Sequence, residues 1–205
     1  APELIDTSNV QTESERLFEE FLTDHDIKHE RVAPRDVPTP DYLVMFGGRT
    51  IAFELKELTS DRAFRTGHLK VSSRIVGNHV RDRIDRSRKQ VQWGKNSGYP
   101  SVLLIYNRLD VALGLFGTED DDFLAAMYGE LKVQLSLSDR DGAKCYRHER
   151  NKISPFANTS FSAIGRLILR DGRTSVDLFE NVFATVPLTA VPNCITLYKI
   201  DLIQT

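Results

Sequence analysis

Pro40-Asp41-Tyr42-Leu43-Val44-Met45-Phe46-Gly47-Gly48-Arg49-Thr50-Ile51-Ala52-Phe53-Glu54-Leu55-Lys56-Glu57-Leu58 is the stretch whose reading decides the fold. Residues 41–46 read as a buried strand, Gly47-Gly48 as a hairpin turn, and residues 50–58 as the partner strand. Alternate residues of a strand point to the same side. Glu54 and Lys56 therefore share one face, and Ile51, Phe53 and Leu55 fill the other. A carboxylate and an ammonium thus stand where apolar side chains are expected. Asp41 begins the preceding strand, which the Gly turn lays alongside, so two carboxylates and a lysine converge on one edge of the hairpin.

Working outward, residues 12–23 read as an amphipathic helix with Leu17, Phe18, Phe21 and Leu22 on one face. Thr12 or Ser14 can cap it, and Glu15 completes a capping box with Thr12. Residues 29–33 suggest a short strand, and the three prolines within 34–40 mark a connector. On the other side, residues 59–77 are polar and basic. Residues 79–93 read as a second helix buried through Val80, Ile84 and Val91, ended by Asn96-Ser97-Gly98-Tyr99-Pro100. The apolar run 101–106 has the length and character of a central strand covered on both sides. Further on, residues 123–127 suggest a short helix, 131–137 a strand, and 167–169 with 174–178 a hairpin around Asp171-Gly172. The expected architecture is α/β, with a central mixed sheet flanked by helices and additional C-terminal β-rich elements. Residues 1–108 are expected to form the core, and residues 109–205 an extension packed on the same domain.

Composition sets the bounds. A chain of 205 residues is one substantial domain, and 40% hydrophobic with 27% charged residues is ordinary for a globular protein. No apolar run approaches the ~18 residues of a membrane span, and no leader is evident at the N-terminus. The two cysteines, Cys145 and Cys194, show no CxxC spacing; a reducing, cytoplasmic setting is the simpler expectation. The formal charge of −2 hides an asymmetry: residues 61–95 carry ten Lys/Arg against three Asp, leaving 17 basic against 26 acidic residues elsewhere. One basic stretch on an acidic chain suits a localised phosphate-binding face, with a solvated helix as the plainer alternative. Walker A, GxGxxG and GxSxG motifs are absent, which argues against nucleotide-cofactor and acyl-transfer chemistry.

The converging trio suits phosphodiester hydrolysis. Hard oxygen ligands such as Asp41 and Glu54 suit Mg²⁺, which is usually bound by one or two carboxylates. Such a metal polarises a phosphoryl oxygen and supplies an activated water, while Lys56 can orient that water or offset charge developing in the transition state.

Pro40-Asp41 followed thirteen residues later by Glu54-Leu55-Lys56 resembles the signature of the PD-(D/E)XK nuclease superfamily, which includes restriction endonucleases and archaeal Holliday-junction resolvases. The likeness covers roughly residues 13–107. It implies a restriction-endonuclease-like core and a Mg²⁺- or Mn²⁺-dependent nuclease acting on nucleic acid, with DNA favoured because most of the superfamily acts on DNA. It further implies metal ligation by Asp41, Glu54 and the Leu55 carbonyl, with Lys56 as the catalytic lysine. Many members add a glutamate from the first helix, where Glu15 sits at the border of the buried face, and a Gln or basic residue from the helix after the E-x-K strand, where Gln90 fits. The plainer roles are a capping-box partner for Glu15 and a solvated helix residue for Gln90. Arg62, Arg65, Lys70, Arg74, Arg83 and Arg86 are the expected nucleic-acid contacts; Lys28 and Arg31, outside the basic segment, are expected bystanders. Many members cut both strands as dimers, so a homodimer is a further expectation. Two alternatives accompany this reading. One is a nucleic-acid-binding module that keeps the fold without cleavage, although such members usually lose the lysine or a carboxylate. The other is a defence or toxin nuclease acting on RNA or DNA.

Other candidates carry less. His25 and His29 have zinc-like spacing but lack a third ligand, and Cys145-x-x-His148 is one isolated pair. The acidic run Glu119-Asp120-Asp121-Asp122 is explained by the dipole of a following helix. Asn158-Thr159-Ser160 is a glycosylation sequon that matters only in a secreted protein. Trp93, the only tryptophan, is expected to pack at the end of the second helix rather than to stack on a base.

Overall fold

The computed structural model describes residues 11–33, 36–59, 74–109, 116–134 and 144–202. Its hairpin forms where the two glycines stand. Strand β2 (Tyr42–Phe46) pairs antiparallel with β3 (Arg49–Leu58), and Phe46 lies opposite Arg49. Gly47 and Gly48 make the two-residue loop at φ 57° and 74°. A turn of this kind needs positive φ at both positions, which glycine adopts without a Cβ clash.

Helix α1 (Glu13–Asp24) precedes the hairpin and β1 (His29–Arg31) pairs antiparallel with β2. After the hairpin come α2 (Asn78–Asn96), β4 (Ser101–Asn107), α3 (Asp120–Tyr128), β5 (Glu130–Gln134), β6 (Lys144–His148), β7 (Ala163–Arg170), β8 (Arg173–Glu180) and β9 (Ile195–Tyr198). Seven strands form one mixed sheet in the order β1-β2-β3-β4-β7-β8-β9, while β5 and β6 make a separate two-stranded sheet. The β3–β4, β4–β7 and β8–β9 pairs are parallel, and the others in the large sheet are antiparallel. Residues on both sides of position 108 thus build the same sheet. The protein is α/β, with helices on both faces of a mixed central sheet.

Two apolar clusters hold the layers. On one face α1 buries Leu17, Phe18, Phe21 and Leu22 against Tyr42, Val44, Ile51, Phe53 and Leu55. Phe18 stands edge-on to Tyr42 at 5.5 Å and 5.1 Å from Phe53. On the other face α2 and α3 bury Val80, Ile84, Val91, Phe123 and Met127 against Leu103, Ile105 and Ile164. Each such side chain contributes roughly 1.5–3 kcal/mol by leaving water. At the end of α2 the helix comes so close to the sheet that a Cβ on Gly94 would lie 2.2 Å from Ser101 Oγ and 2.9 Å from the Ala52 Cβ. Only glycine fits there, and this contact pins the helix over β3 and β4.

The elements differ from expectation mainly at their ends. Helix α2 runs to Asn96, and Ser97 closes it by donating its N–H to Trp93 O. Strand β1 stops at Arg31, yet the Val32 N–H still bonds Asp41 O at 2.8 Å. Strand β5 ends at Gln134, and the rest of the expected 131–137 strand lies outside the described residues. Strands β6 and β9 were not expected. The former is short and almost wholly exposed, and the latter has four residues, so neither shows an apolar alternation long enough to read.

Candidate active site

The register of the β2–β3 ladder sets the site. Tyr42 pairs with Phe53, so one step further Asp41 stands opposite Glu54. The Asp41 N–H continues the ladder by donating to Phe53 O at 3.0 Å. Ladder pairing ends there, because β2 begins at Tyr42. The next inward-facing N–H, that of Leu55, donates instead to the Asp41 carboxylate, Oδ2, at 2.7 Å. In a strand the N–H and C=O of one residue point the same way, so the Leu55 carbonyl also opens toward this edge.

Tyr42, Val44, Ile51, Phe53 and Leu55 belong to the α1-side core. By alternation Asp41, Glu54 and Lys56 face the α2 side. Glu54 is 2% exposed, and its Oε1 accepts from Lys56 Nζ at 2.5 Å. Its other oxygen, Oε2, is buried with no hydrogen-bond partner among the described residues. Burial, then the neighbouring Asp41 charge, pushes the Glu54 carboxyl up to about 8 against the opposing pull of Lys56. Burial likewise raises Asp41, aided by the charge of Glu15 and opposed by the Leu55 N–H and Lys56. One lysine therefore serves two buried carboxyls. With the Glu54 carboxyl raised to about 8 the trio is balanced near neutral pH by a retained proton, and the partner-less buried oxygen costs free energy until something fills the position.

Gln90 enters from α2. Two contacts fix how the helix lies on the strand: Arg83 Nε donates to Glu57 O at 3.1 Å, and Gly94 abuts Ala52. Eleven helix residues and five strand residues separate these anchors, each a span of about 16 Å. Gln90 consequently lies level with Glu54. Its Oε1 is also buried without a hydrogen-bond partner. Each of the two oxygens is a buried acceptor open to a donor or cation.

Glu15 occupies the capping box: Thr12 N–H donates to its Oε2 at 2.6 Å, and the Glu15 N–H donates to Thr12 Oγ1. Its other oxygen pairs with Arg31 at 3.2 Å. Arg31, outside the basic segment, is thus tied to the one α1 carboxylate whose charge reaches Asp41. Spacing within a helix could not reveal this, because the pair joins α1 to β1.

The expected nucleic-acid contacts divide into three groups. Arg62, Arg65 and Lys70 lie outside the described residues. Arg74 is held by Asp122 at 2.5 Å and Glu119 at 2.6 Å and covers the Phe116 ring at 4.5 Å. Arg83 is mostly buried, committed to Glu57 O and to Asp82. Arg86 is exposed and, among the described residues, pairs only with Asp82, at 3.0 Å. Also in the basic segment, Arg81 is buried and donates to the carbonyls of Val76, Ala125 and Arg150, so it locks α2 to α3 and the loop after β6. The acidic run, expected ahead of this helix, supplies the cap Glu119 and the first turn of α3, and it has a structural use: buried Asp122 accepts from the Gly77 N–H at 2.7 Å and from Arg74. Nδ1 of His25 and of His29 each lie against a backbone carbonyl, of Phe21 and Ile27 respectively.

Among the described residues no group of three or more His, Cys, Asp or Glu side chains is arranged to hold a metal ion. A pair of carboxylates is within the reach of Mg²⁺, which retains several waters, and falls short of the ligand set of structural zinc. No family model matches the chain, and no curated protein or solved structure is significantly similar to it. Among the described residues no helix is long and apolar enough to cross a membrane.

Proposed function

We propose that this chain is a divalent-metal-dependent nuclease of the PD-(D/E)XK kind, with a restriction-endonuclease-like core and Asp41, Glu54 and Lys56 at its reacting centre. The observation that carries the reading is the buried Glu54 carboxyl, with one oxygen on Lys56 and the other without a partner, opposite a second carboxyl. A surface Glu–Lys pair needs no burial and no second acid.

In this reading Asp41, Glu54 and the Leu55 carbonyl hold Mg²⁺ or Mn²⁺. The ion polarises a phosphoryl oxygen and lowers the pKa of a bound water. The Leu55 N–H holds one oxygen of the Asp41 carboxylate in place at the end of β2. Lys56, partly exposed beside Glu54, is placed to orient the attacking water or to offset charge on the phosphoryl oxygens. Gln90 closes the site from α2, and Glu15 adds negative charge from α1. DNA is the preferred substrate on the strength of the resemblance, and a cytoplasmic homodimer belongs to the same reading. A binding-only module is disfavoured because all three motif residues are present and converge.

The test is a cleavage assay on plasmid, single-stranded and branched DNA and on RNA. Cleavage is expected with Mg²⁺ or Mn²⁺, and binding without cleavage in Ca²⁺, which occupies oxygen sites but activates water poorly. Full activity in EDTA contradicts the mechanism.

A further inference from the structure

Trp93 packs on Tyr99 in the last turn of α2 as expected, and it also borders solvent. It is only partly buried and, with Val37 and Pro38 of the segment leading to Asp41, walls an open groove of about 410 Å³. Lys89 and Arg88 line the same groove, with Asn96. Lys89 is exposed and among the described residues makes no ion pair. The rest of the wall is rigid: Gln92 accepts from Ser160 Oγ at 2.6 Å and donates to Asn96 Oδ1 at 2.8 Å. The Trp93 ring itself is backed by Tyr99, centroid to centroid 6.4 Å. A tryptophan packed on Tyr99, a proline and a valine line the apolar part of the groove, and its rim carries Lys89 and Arg88, the latter tied to Asp85 at 2.7 Å.

The groove is lined by chain neighbours of two candidate active-site residues. Pro38 is three residues from Asp41, a span of at most about 10 Å. Trp93 is three residues beyond Gln90, about 4.5 Å further along the helix axis. Anything lying along α2 with a phosphate at Asp41 and Glu54 reaches Trp93 with its neighbouring unit.

We propose that this groove receives an unpaired nucleotide of the strand bound at the active site, its base stacked on Trp93 and its phosphate set against Lys89 and Arg88. The proposal rests on the nuclease reading and sharpens its substrate to nucleic acid carrying a single-stranded segment. The occupant follows from charge and shape together. Each base has a face that stacks on an aromatic ring, and each nucleotide brings one negative charge for the cations at the rim. A base within a flush duplex is stacked on its neighbours and cannot enter.

Trp93 is the only tryptophan of the chain, so its emission reports on this groove alone. The full-length chain in EDTA, where no cleavage occurs, is titrated with an oligothymidylate, with a blunt duplex and with polyglutamate. Saturable quenching by the single strand is expected, and little or none by the other two. Trp93→Ala is expected to weaken single-strand binding roughly tenfold, and Trp93→Phe by about twofold or less, read by anisotropy of a labelled oligonucleotide. Unchanged emission on saturation overturns the proposal, as does equal affinity of a folded Trp93→Ala protein. Equal quenching by polyglutamate overturns it in favour of a protein partner. If Trp93→Ala does not fold, the titration of the unaltered chain decides alone. Failures of the two readings are distinguishable: Mg²⁺-dependent cleavage without a change in emission removes only the groove, whereas quenching without cleavage in any divalent metal removes the nuclease reading and leaves a nucleotide-binding groove.

Discussion

Two clusters of buried charge share the sheet, and one row of it runs through both: Lys56 on β3 is in register with Ile105, Ile105 with Arg166 on β7, and Arg166 with Asp177 on β8. At the Arg166 end everything is matched. Arg166 donates to Asp177 Oδ2 from Nε at 3.0 Å and from Nη2 at 2.8 Å, and to Thr118 O at 2.9 Å. Asp120 adds a second carboxylate at 2.8 Å. At the Lys56 end, two carboxyls share one ammonium and an oxygen of Glu54 has no partner. The first arrangement is what a buried charge requires merely to be tolerated. The second leaves a buried acceptor unsatisfied, and that orphaned oxygen distinguishes a site built for a ligand from an internal strut.

Exchanges at the two ends should therefore have opposite consequences. The largest effect concerns chemistry. Asp41→Ala, Glu54→Ala and Lys56→Ala are each expected to lower cleavage by at least about a thousandfold while DNA affinity stays within a few-fold, because the trio acts mainly on the transition state. Arg166→Ala is expected to leave the chemistry of the surviving folded protein intact. Near-normal rates in any of the three active-site variants would remove the assignment.

Stability should show the reverse. Arg166→Ala strands Asp177 in the interior and is expected to cost about 3–5 kcal/mol, read by urea denaturation. Glu54→Gln is expected to stabilise the metal-free protein. The folded-state Glu54 carboxyl lies at about 8 against an ordinary 4.5. Between those values the folded protein keeps a proton that the unfolded chain has lost, so stability falls as pH rises through the window. Substitution removes that fall: no difference is expected below pH 4.5, and a gain on the order of 5 kcal/mol above pH 8. A Glu54→Gln protein less stable than the original at pH 9 would show that the carboxyl is already satisfied.

The smallest effect concerns the basic segment. Arg83 is committed to Glu57 O, whereas Arg86 is exposed. Arg86→Ala is expected to shallow the slope of log K against log[salt] for duplex DNA by about 0.9, the share of one phosphate contact. Arg74→Ala is expected to destabilise the protein by freeing Asp122, with no matching change in slope. An unchanged slope for Arg86→Ala would return that face of α2 to plain solvation.

The hairpin was legible because its signal is local. Two glycines fix the turn, the turn fixes the register, and strand alternation then dictates that Glu54 and Lys56 share a face opposite Asp41. Helix α1 was legible for the same reason, through its apolar face and the Thr12–Glu15 box. Long-range pairings were not. That Arg31 would meet Glu15, that Arg74 would go to Asp122, and that β7 would dock on β4 depend on elements far apart in the chain, and side-chain type alone marks none of them. The basic run in particular mixed two populations, since Arg74 and Arg81 bind the fold together while Arg86 and Lys89 face outward. The helical position of Trp93 marks it as a packing residue, and it does pack on Tyr99; only the approach of Val37 and Pro38 shows that it also borders a groove.

The central claim is that Asp41 and Glu54 hold a divalent cation, and calorimetric titration of Mn²⁺ into the apo protein tests it most directly. At pH 7 the Glu54 carboxyl, raised to about 8, is mostly protonated, so binding must displace its proton. The account predicts saturable Mn²⁺ binding with release of about one proton, measured from the heats in two buffers of different ionisation enthalpy, and loss of both binding and release in Asp41→Asn with Glu54→Gln. Mn²⁺ binding that persists unchanged in that double variant, or no binding to the original protein, would contradict it.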